Sequence, residues 1–203
     1  MNNYVYIVSS MPAISSSSRT DSTLNPDTLI EEIESQLGSR DRDMLHLLLD
    51  GFDPEKIGAE FYEKARASKS AFIRDFFDFD FNVRNAKVRY LNSALGRPEN
   101  TGIIPSGEEC SAFEEAGRLQ GILESDNILG REQALDEFMW KKIDSLSVFD
   151  YFNIDAVLAF AAKLKIVDRW LKLDERTGRK MFHKLADEVM KTFKGVEFDS
   201  NRQ

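Results

Sequence analysis

Apolar residues recur at alternating spacings of three and four along most of this chain, the period of α-helices that bury one face. The pattern is strongest in "AFIRDFFDFDFNVRN", residues 71–85, and its continuation "VRYLNSALG". Phe72, Phe76, Phe79, Val83, Ala86 and Tyr90 form one helical stripe, and Ile73, Phe77, Phe81, Val88 and Leu91 widen it. A helix apolar on more than one side belongs in the middle of a domain. Gly96 and Pro98 supply its end. Two other readings compete over the same residues. Phe77 to Phe81 alternate with aspartate at the period of a half-buried strand, but only over a few positions and with no hairpin signal alongside. Asp78, Asp80 and Asn82 have the oxygen spacing of a calcium loop, yet Val83 stands where that loop needs glycine and Arg89 where it needs a bidentate glutamate. The calcium reading is excluded.

The same reasoning predicts a multi-helix, all-α bundle of antiparallel neighbours, because the helical segments are joined by short turns. Before the long helix come "NPDTLIEEIESQLG", with Pro26 or Asp27 near its cap and Gly38 as its stop, and "SRDRDMLHLLLDGFD", capped by Ser39 and carrying Leu45, Leu48 and Leu49. "DPEKIGAEFYEKARAS" starts at Asp53 and Pro54 and buries Ile57, Phe61 and Tyr62. After the loop "GRPENTGIIPSG", four further helical patterns follow: one through "SGEECSAFEEAGRLQGIL", one through Leu135, Phe138 and Met139, one through Ile154, Val157, Leu158, Ala161, Leu164, Val167 and Leu171, and a last from about Asp174 through Phe182, Leu185 and Val189. Only the start departs from this period. "YVYIV", residues 4–8, is β-branched and aromatic and predicts a short extended strand, followed by a Ser-rich loop. The expected organisation is one helical domain over 1–203: an extended segment and loop over 1–26, a first helical half over 27–98 and a second over 106–195.

Charge and composition narrow the function classes. A formal net charge of -8 argues against a broad surface for nucleic acid or anionic lipid. The opening residues lack a basic region and a long apolar run, and no segment reaches the about 18 to 20 apolar residues that span a bilayer. Contact with a membrane is therefore expected only through partners, and the expected location is cytoplasmic. One cysteine, Cys110, cannot form an intramolecular disulfide or a multi-cysteine zinc site, and Glu108 and Glu109 beside it disfavour a thiolate.

Candidate chemistry is sparse. His46 and His183 are the only histidines; Asp43 and His46 make one acid-x-x-His pair, where a di-iron bundle needs two. No GxxxxGK[ST] or GxGxxG loop is present, so no phosphate cradle is predicted. The expectation is no catalytic residue, no cofactor, no metal and no small-molecule substrate; an enzyme built around Asp43, His46 and scattered carboxylates ranks last. Asp80, Arg84 and Asn85 are harder to set aside, because they lie among phenylalanines in the most apolar helix. Asp80 and Arg84 can close an i to i+4 pair, with Asp155, Asp168 or Arg169 as partners from the late helix; the bland alternative is an exposed helical ion pair.

Two stretches carry a resemblance: "FIRDFFDFDFNVRNAKVRYLNSALGRP" and "FDYFNIDAVLAFAAKLKIVDRWLKLDERTGRKMF". Together with the opening "NNYVYIVSSMPAI", they resemble segments of an uncharacterised bacterial family encoded with V-type ATPase operons. That family is distantly similar to the C-type subunit of V-type ATPases, known as the d-type in eukaryotes, an all-helical funnel between the rotor shaft and the membrane ring. The resemblance implies a non-catalytic coupling element that supports ion transport, partnered by shaft and ring subunits and peripheral to the inner membrane through its complex. It carries over Arg84, Asn85, Leu158, Ala159, Lys163, Leu164, Arg169 and Trp170 as packing and scaffold positions. The ATPase funnel contains three similar helical modules, so 203 residues correspond to a reduced version. The alternative is a helical adaptor unrelated to an ATPase, with Tyr90 and Trp170 at its contact surfaces.

Overall fold

The computed structural model describes residues 4–21, 23–105, 113–148 and 152–173. Among them are eight α-helices and no strand, so the chain is an all-α bundle. The helices are α1 (Tyr4–Ser10), α2 (Pro26–Gln36), α3 (Ser39–Asp50), α4 (Ala59–Arg66), α5 (Ala71–Ala94), α6 (Ala116–Leu123), α7 (Ile128–Leu146) and α8 (Ile154–Leu171). The helical pattern predicted from Asp174 onward, with His183, lies outside the described residues, as do Glu108, Glu109 and Cys110.

Two helices organise the rest. α5 touches α4, α6, α7 and α8, while α8 touches α1, α2, α3, α5, α7 and a 3₁₀ turn at Ser16–Thr20. The sequence accounts for both hubs. Asn153 and Ser70 cap α8 and α5 by accepting from the backbone N–H groups of Ala156 and Ile73. Alanines at 159, 161 and 162 are buried on α8, where small side chains let neighbouring helices approach closely. α5 runs 24 residues and ends at Gly96, whose φ of 62° is a left-handed conformation suited to glycine.

The breadth of the apolar face on α5 has a structural reason: the helix divides two cores. On one side Phe72, Ile73, Phe76, Phe77 and Phe81 join Leu45, Leu48, Phe61, Tyr62, Val157, Leu158 and Ala161. Phe77 meets Phe61 edge-on at a centroid distance of 4.8 Å, and Tyr62 meets Phe81 edge-on at 5.1 Å. On the other side Phe79 and Val83 join Leu119, Leu123, Leu135 and Phe138, with Tyr90 packed at the margin. Leu91, expected to be buried, is half exposed because α6 and α7 cover α5 from the other side of that stripe.

The start of the chain corrects the strand expected over residues 4–8. It is α1, with Ile7 buried and Tyr4, Val8 and Met11 packed against the main core. Those four positions have i, i+3, i+4 and i+7 spacing, so burial of a helical stripe on α8 overrides β-propensity. The Ser-rich segment is likewise partly ordered, as the 3₁₀ turn against α8. Three expected helix starts and stops also shift. Asn25 caps α2 with Pro26 as its first residue, Gly38 rather than Ser39 precedes α3, and α4 begins at Ala59 after a turn over the Asp53–Pro54 region. The Asp53 side chain accepts from the Glu55 backbone N–H, closing a local turn in place of a helix cap.

Candidate functional site

Polar side chains on α5, α7 and α8 meet in one seam. From α5 the wall presents Asp80, Val83, Arg84 and Lys87; from α7, Glu132, Leu135, Asp136 and Met139; from α8, Lys165, Ile166 and Arg169. The first two sets each follow i, i+3, i+4, i+7, so each helix contributes one stripe in which charged and apolar residues are interleaved. Phe52, Pro54 and Phe76 complete a cleft of about 280 Å³.

Asp80 is buried and anchors the α5 wall. Its Oδ2 accepts from Tyr62 Oη and from Arg84 Nε, both at 2.6 Å. Burial, reinforced by the adjacent Asp80 carboxylate, pushes the Tyr62 hydroxyl far above the ordinary tyrosine range, so it remains a donor. For Arg84, burial opposes the charge, but the attraction of Asp80 outweighs it and raises the guanidinium pKa. The ion pair expected within α5 is therefore present, and its third member is Tyr62 of α4 rather than the late helix. Asp155 instead accepts from Ser70 Oγ at 2.6 Å, tying the starts of α5 and α8 together.

Asn85 has a different task. Its Nδ2 donates to the Ile104 carbonyl at 3.1 Å and its Oδ1 accepts from the Ile104 backbone N–H at 3.0 Å. Asn92, one of the buried polar residues further along α5, donates to the carbonyls of Glu99 and Thr101. These two amides fold the loop after α5 back along the helix and satisfy its backbone.

Arg169 and Trp170 converge on Asp136, a residue sequence reasoning did not single out. Arg169 Nη2 lies 2.7 Å from both carboxylate oxygens, and Trp170 Nε1 donates to Oδ2. Glu132 flanks the guanidinium at 3.4 Å, and Arg19 from the 3₁₀ turn lies 5.6 Å over the Trp170 ring. The sequence shows Glu132 and Asp136 at i, i+4 on one side of α7, on the same stripe as Leu135 and Met139. Asp168, also buried, receives Lys165 at 3.0 Å and Lys172 at 2.8 Å. Burial disfavours its ionisation, yet hydrogen bonds from the two lysines hold its carboxyl below the usual aspartate value.

The other expected positions lie elsewhere. Lys163 pairs with Asp144 at 2.5 Å and covers the Trp140 ring, tying α8 to α7. Tyr90 lines a separate groove of about 570 Å³ with Arg89, Arg97, Leu119 and Leu123. His46 is exposed, with Nε2 2.8 Å from Glu34 Oε1, and among the described residues no group of three or more His, Cys, Asp or Glu side chains is placed to hold a metal ion.

A family model described as "Protein of unknown function (DUF2764)" matches residues 105–193. That region includes α6, α7 and α8, and thus two of the three walls of the cleft. No curated protein and no solved structure matches the chain.

Proposed function

We propose that this chain is a non-catalytic helical subunit or accessory protein of a V-type ATPase, a coupling element between shaft and ring that supports ion transport. What carries the reading is the resemblance of two stretches to the ATPase-operon family. Those stretches are largely α5 and α8, the neighbouring hubs on which the other helices pack. A force-transmitting element needs that construction: a close-packed core resists deformation, and paired polar groups fix the relative rotation of helices. Asp80 with Tyr62 and Asp136 with Arg169 supply such ties. Among the described residues no helix is long and apolar enough to cross a membrane, so attachment to the ring runs through protein contacts.

Exposed apolar residues supply surface for those contacts. Leu91 and Leu95 stand one turn apart at the end of α5, and Ile128 and Leu129 open α7. A helical adaptor outside any ATPase would use the same residues. ATP-driven ion uptake in membrane vesicles separates the two readings. Vesicles from cells lacking this chain lose ion uptake under the coupling reading and regain it when the purified chain is restored. Unchanged uptake overturns the coupling role.

A further inference from the structure

We infer that the groove between α2, the end of α3 and α8 is the docking site of the chain's own segment 174–193, laid down as an amphipathic helix with a basic edge. The groove encloses about 690 Å³, and Ile30, Leu49, Phe52 and Pro54 are its apolar lining. Ile30, Leu49 and Phe52 are only partly buried, so the described helices leave this floor open. The rim is acidic. Asp27, Glu31, Asp50 and Asp53 face Lys56 and Lys165, and the balance stays acidic when the neighbouring Asp168 and Lys172 are counted. Lys56 is held by Asp50 and Asp53, Lys165 by Asp168, and Lys172 by Asp168 and Asp27. The Glu31 side chain is exposed and has no hydrogen-bond or ion-pair partner among the described residues.

The occupant follows from where α8 ends and what comes next in the sequence. Lys165 lines the groove, and Lys172, two turns further on, lies 3.5 Å from Asp27 at the rim, so α8 runs beside the groove to its last turn. Leu173, the last described residue, is 65% exposed. Beyond it Phe182, Leu185, Ala186, Val189 and Phe193 keep the spacing of one helical apolar stripe, and Arg176, Arg179 and His183 follow one edge of it. From Arg176 to Ala186 the segment carries Arg176, Arg179, Lys180 and Lys184 and no carboxylate. The family match runs to residue 193, the end of that stripe. A helix with one apolar face is stable when that face covers apolar surface. The eight residues between Leu173 and Phe182, Gly178 among them, suit a helix–helix connection of about 2–8 residues and let the segment return along α8. An acidic rim is unremarkable in a chain of net charge -8; it becomes a site because the same chain delivers cations and an apolar stripe at its mouth.

Hydrogen exchange of the purified full chain, read by mass spectrometry on peptides covering residues 180–193, tests this. An isolated segment of that length is a marginal helix in water, so slow exchange there reports docking. The expected result is slow exchange that does not depend on protein concentration. Glu31→Lys, at an exposed position, is expected to speed it by about three- to fivefold, the scale of an exposed ion pair lost. Leu185→Ser speeds it by about tenfold or more by removing an apolar anchor, and it leaves the groove itself untouched. Arg179→Glu acts as Glu31→Lys does, and the two together recover protection because opposite charges face each other again. Glu124→Lys, the same charge change at the exposed end of α6, leaves exchange as in the wild type. The proposal is overturned by exchange at the rate of an unstructured peptide, or by protection that rises with protein concentration, which would make a second copy the occupant. It is equally overturned by protection that Glu31→Lys leaves intact, by an equal loss in Glu31→Lys and Glu124→Lys, or by a charge-swapped pair that exchanges as fast as either single variant.

Discussion

Replacing Tyr62 with Phe isolates one hydroxyl in the middle of the fold. The ring is retained, so its edge contacts with Phe61 at 5.3 Å and Phe81 at 5.1 Å survive. What is lost is the 2.6 Å hydrogen bond to Asp80, a carboxylate only 8% exposed that cannot freely recruit water in its place. A hydrogen bond to a charged acceptor is worth about 1.5–3 kcal/mol net, and the retained Arg84 contact places the expected loss near ~2 kcal/mol. At roughly 2–4 °C per kcal/mol for a chain of this size, Tm falls by roughly 4–8 °C. Urea unfolding followed through Trp140 and Trp170 fluorescence reads the change directly. The control is the same substitution in an Asp80→Leu background, where the hydroxyl has lost its acceptor. There Tyr62→Phe is expected to be neutral or stabilising, giving a coupling of about 1–2 kcal/mol. A Tyr62→Phe chain within about 0.5 kcal/mol of wild type in both backgrounds would refute the claim that this network fixes α4 on α5.

Arg84→Met leaves the Asp80 carboxylate with Tyr62 alone; with the Arg84 side chain 38% exposed, the loss is about 1–2 kcal/mol rather than the ~3–5 kcal/mol of a fully buried pair, measurable in the same urea titration. Asp136→Ala removes the acceptor shared by Arg169 Nη2 and the Trp170 indole, leaving Arg169 with Glu132 at 3.4 Å, and costs about 2–3 kcal/mol, with a shift in Trp fluorescence of the folded state, whereas Glu132→Ala costs under about 1 kcal/mol. Gly51→Ala drives a methyl into the Phe77 ring and to within 2.7 Å of Phe61, so the core must shift and thermal melting should show about 1–3 kcal/mol of destabilisation. The Asp168 carboxyl titrates lower in the folded chain than its ordinary 3.8, so its contribution is present above that pH and is lost as pH falls through the lower folded value; Asp168→Asn should flatten the acid limb of a stability profile, and an unchanged limb would place the loss elsewhere.

How far the sequence was legible varied along the chain. The helix over α5 was readable because six apolar positions keep one period through a stretch that also mimics a strand; the structure divides that stripe between two cores, Phe72 and Phe76 lying with Ile73, Phe77 and Phe81 on one side and Phe79 and Val83 on the other. The Asp80–Arg84 pair was readable from spacing alone. Its third member was not, since Tyr62 lies on another helix and nothing in local pattern says which way α4 rotates against α5. Asp136 was missed for the same reason: its partners lie more than thirty residues away on α8. Residues 4–8 misled because aromatic and β-branched residues favour strands on average, while the stripe of Tyr4, Ile7, Val8 and Met11 that decides for a helix acts only through packing on the core.

Partnership with a rotary ATPase is tested most directly by affinity purification of the tagged full chain from gently solubilised membranes of its native host, with co-purifying proteins quantified by mass spectrometry. A coupling role predicts V-type ATPase shaft and ring subunits in fixed proportion to the chain, retained through size-exclusion chromatography. Recovery of the chain free of them, from cells that express the ATPase, would contradict it.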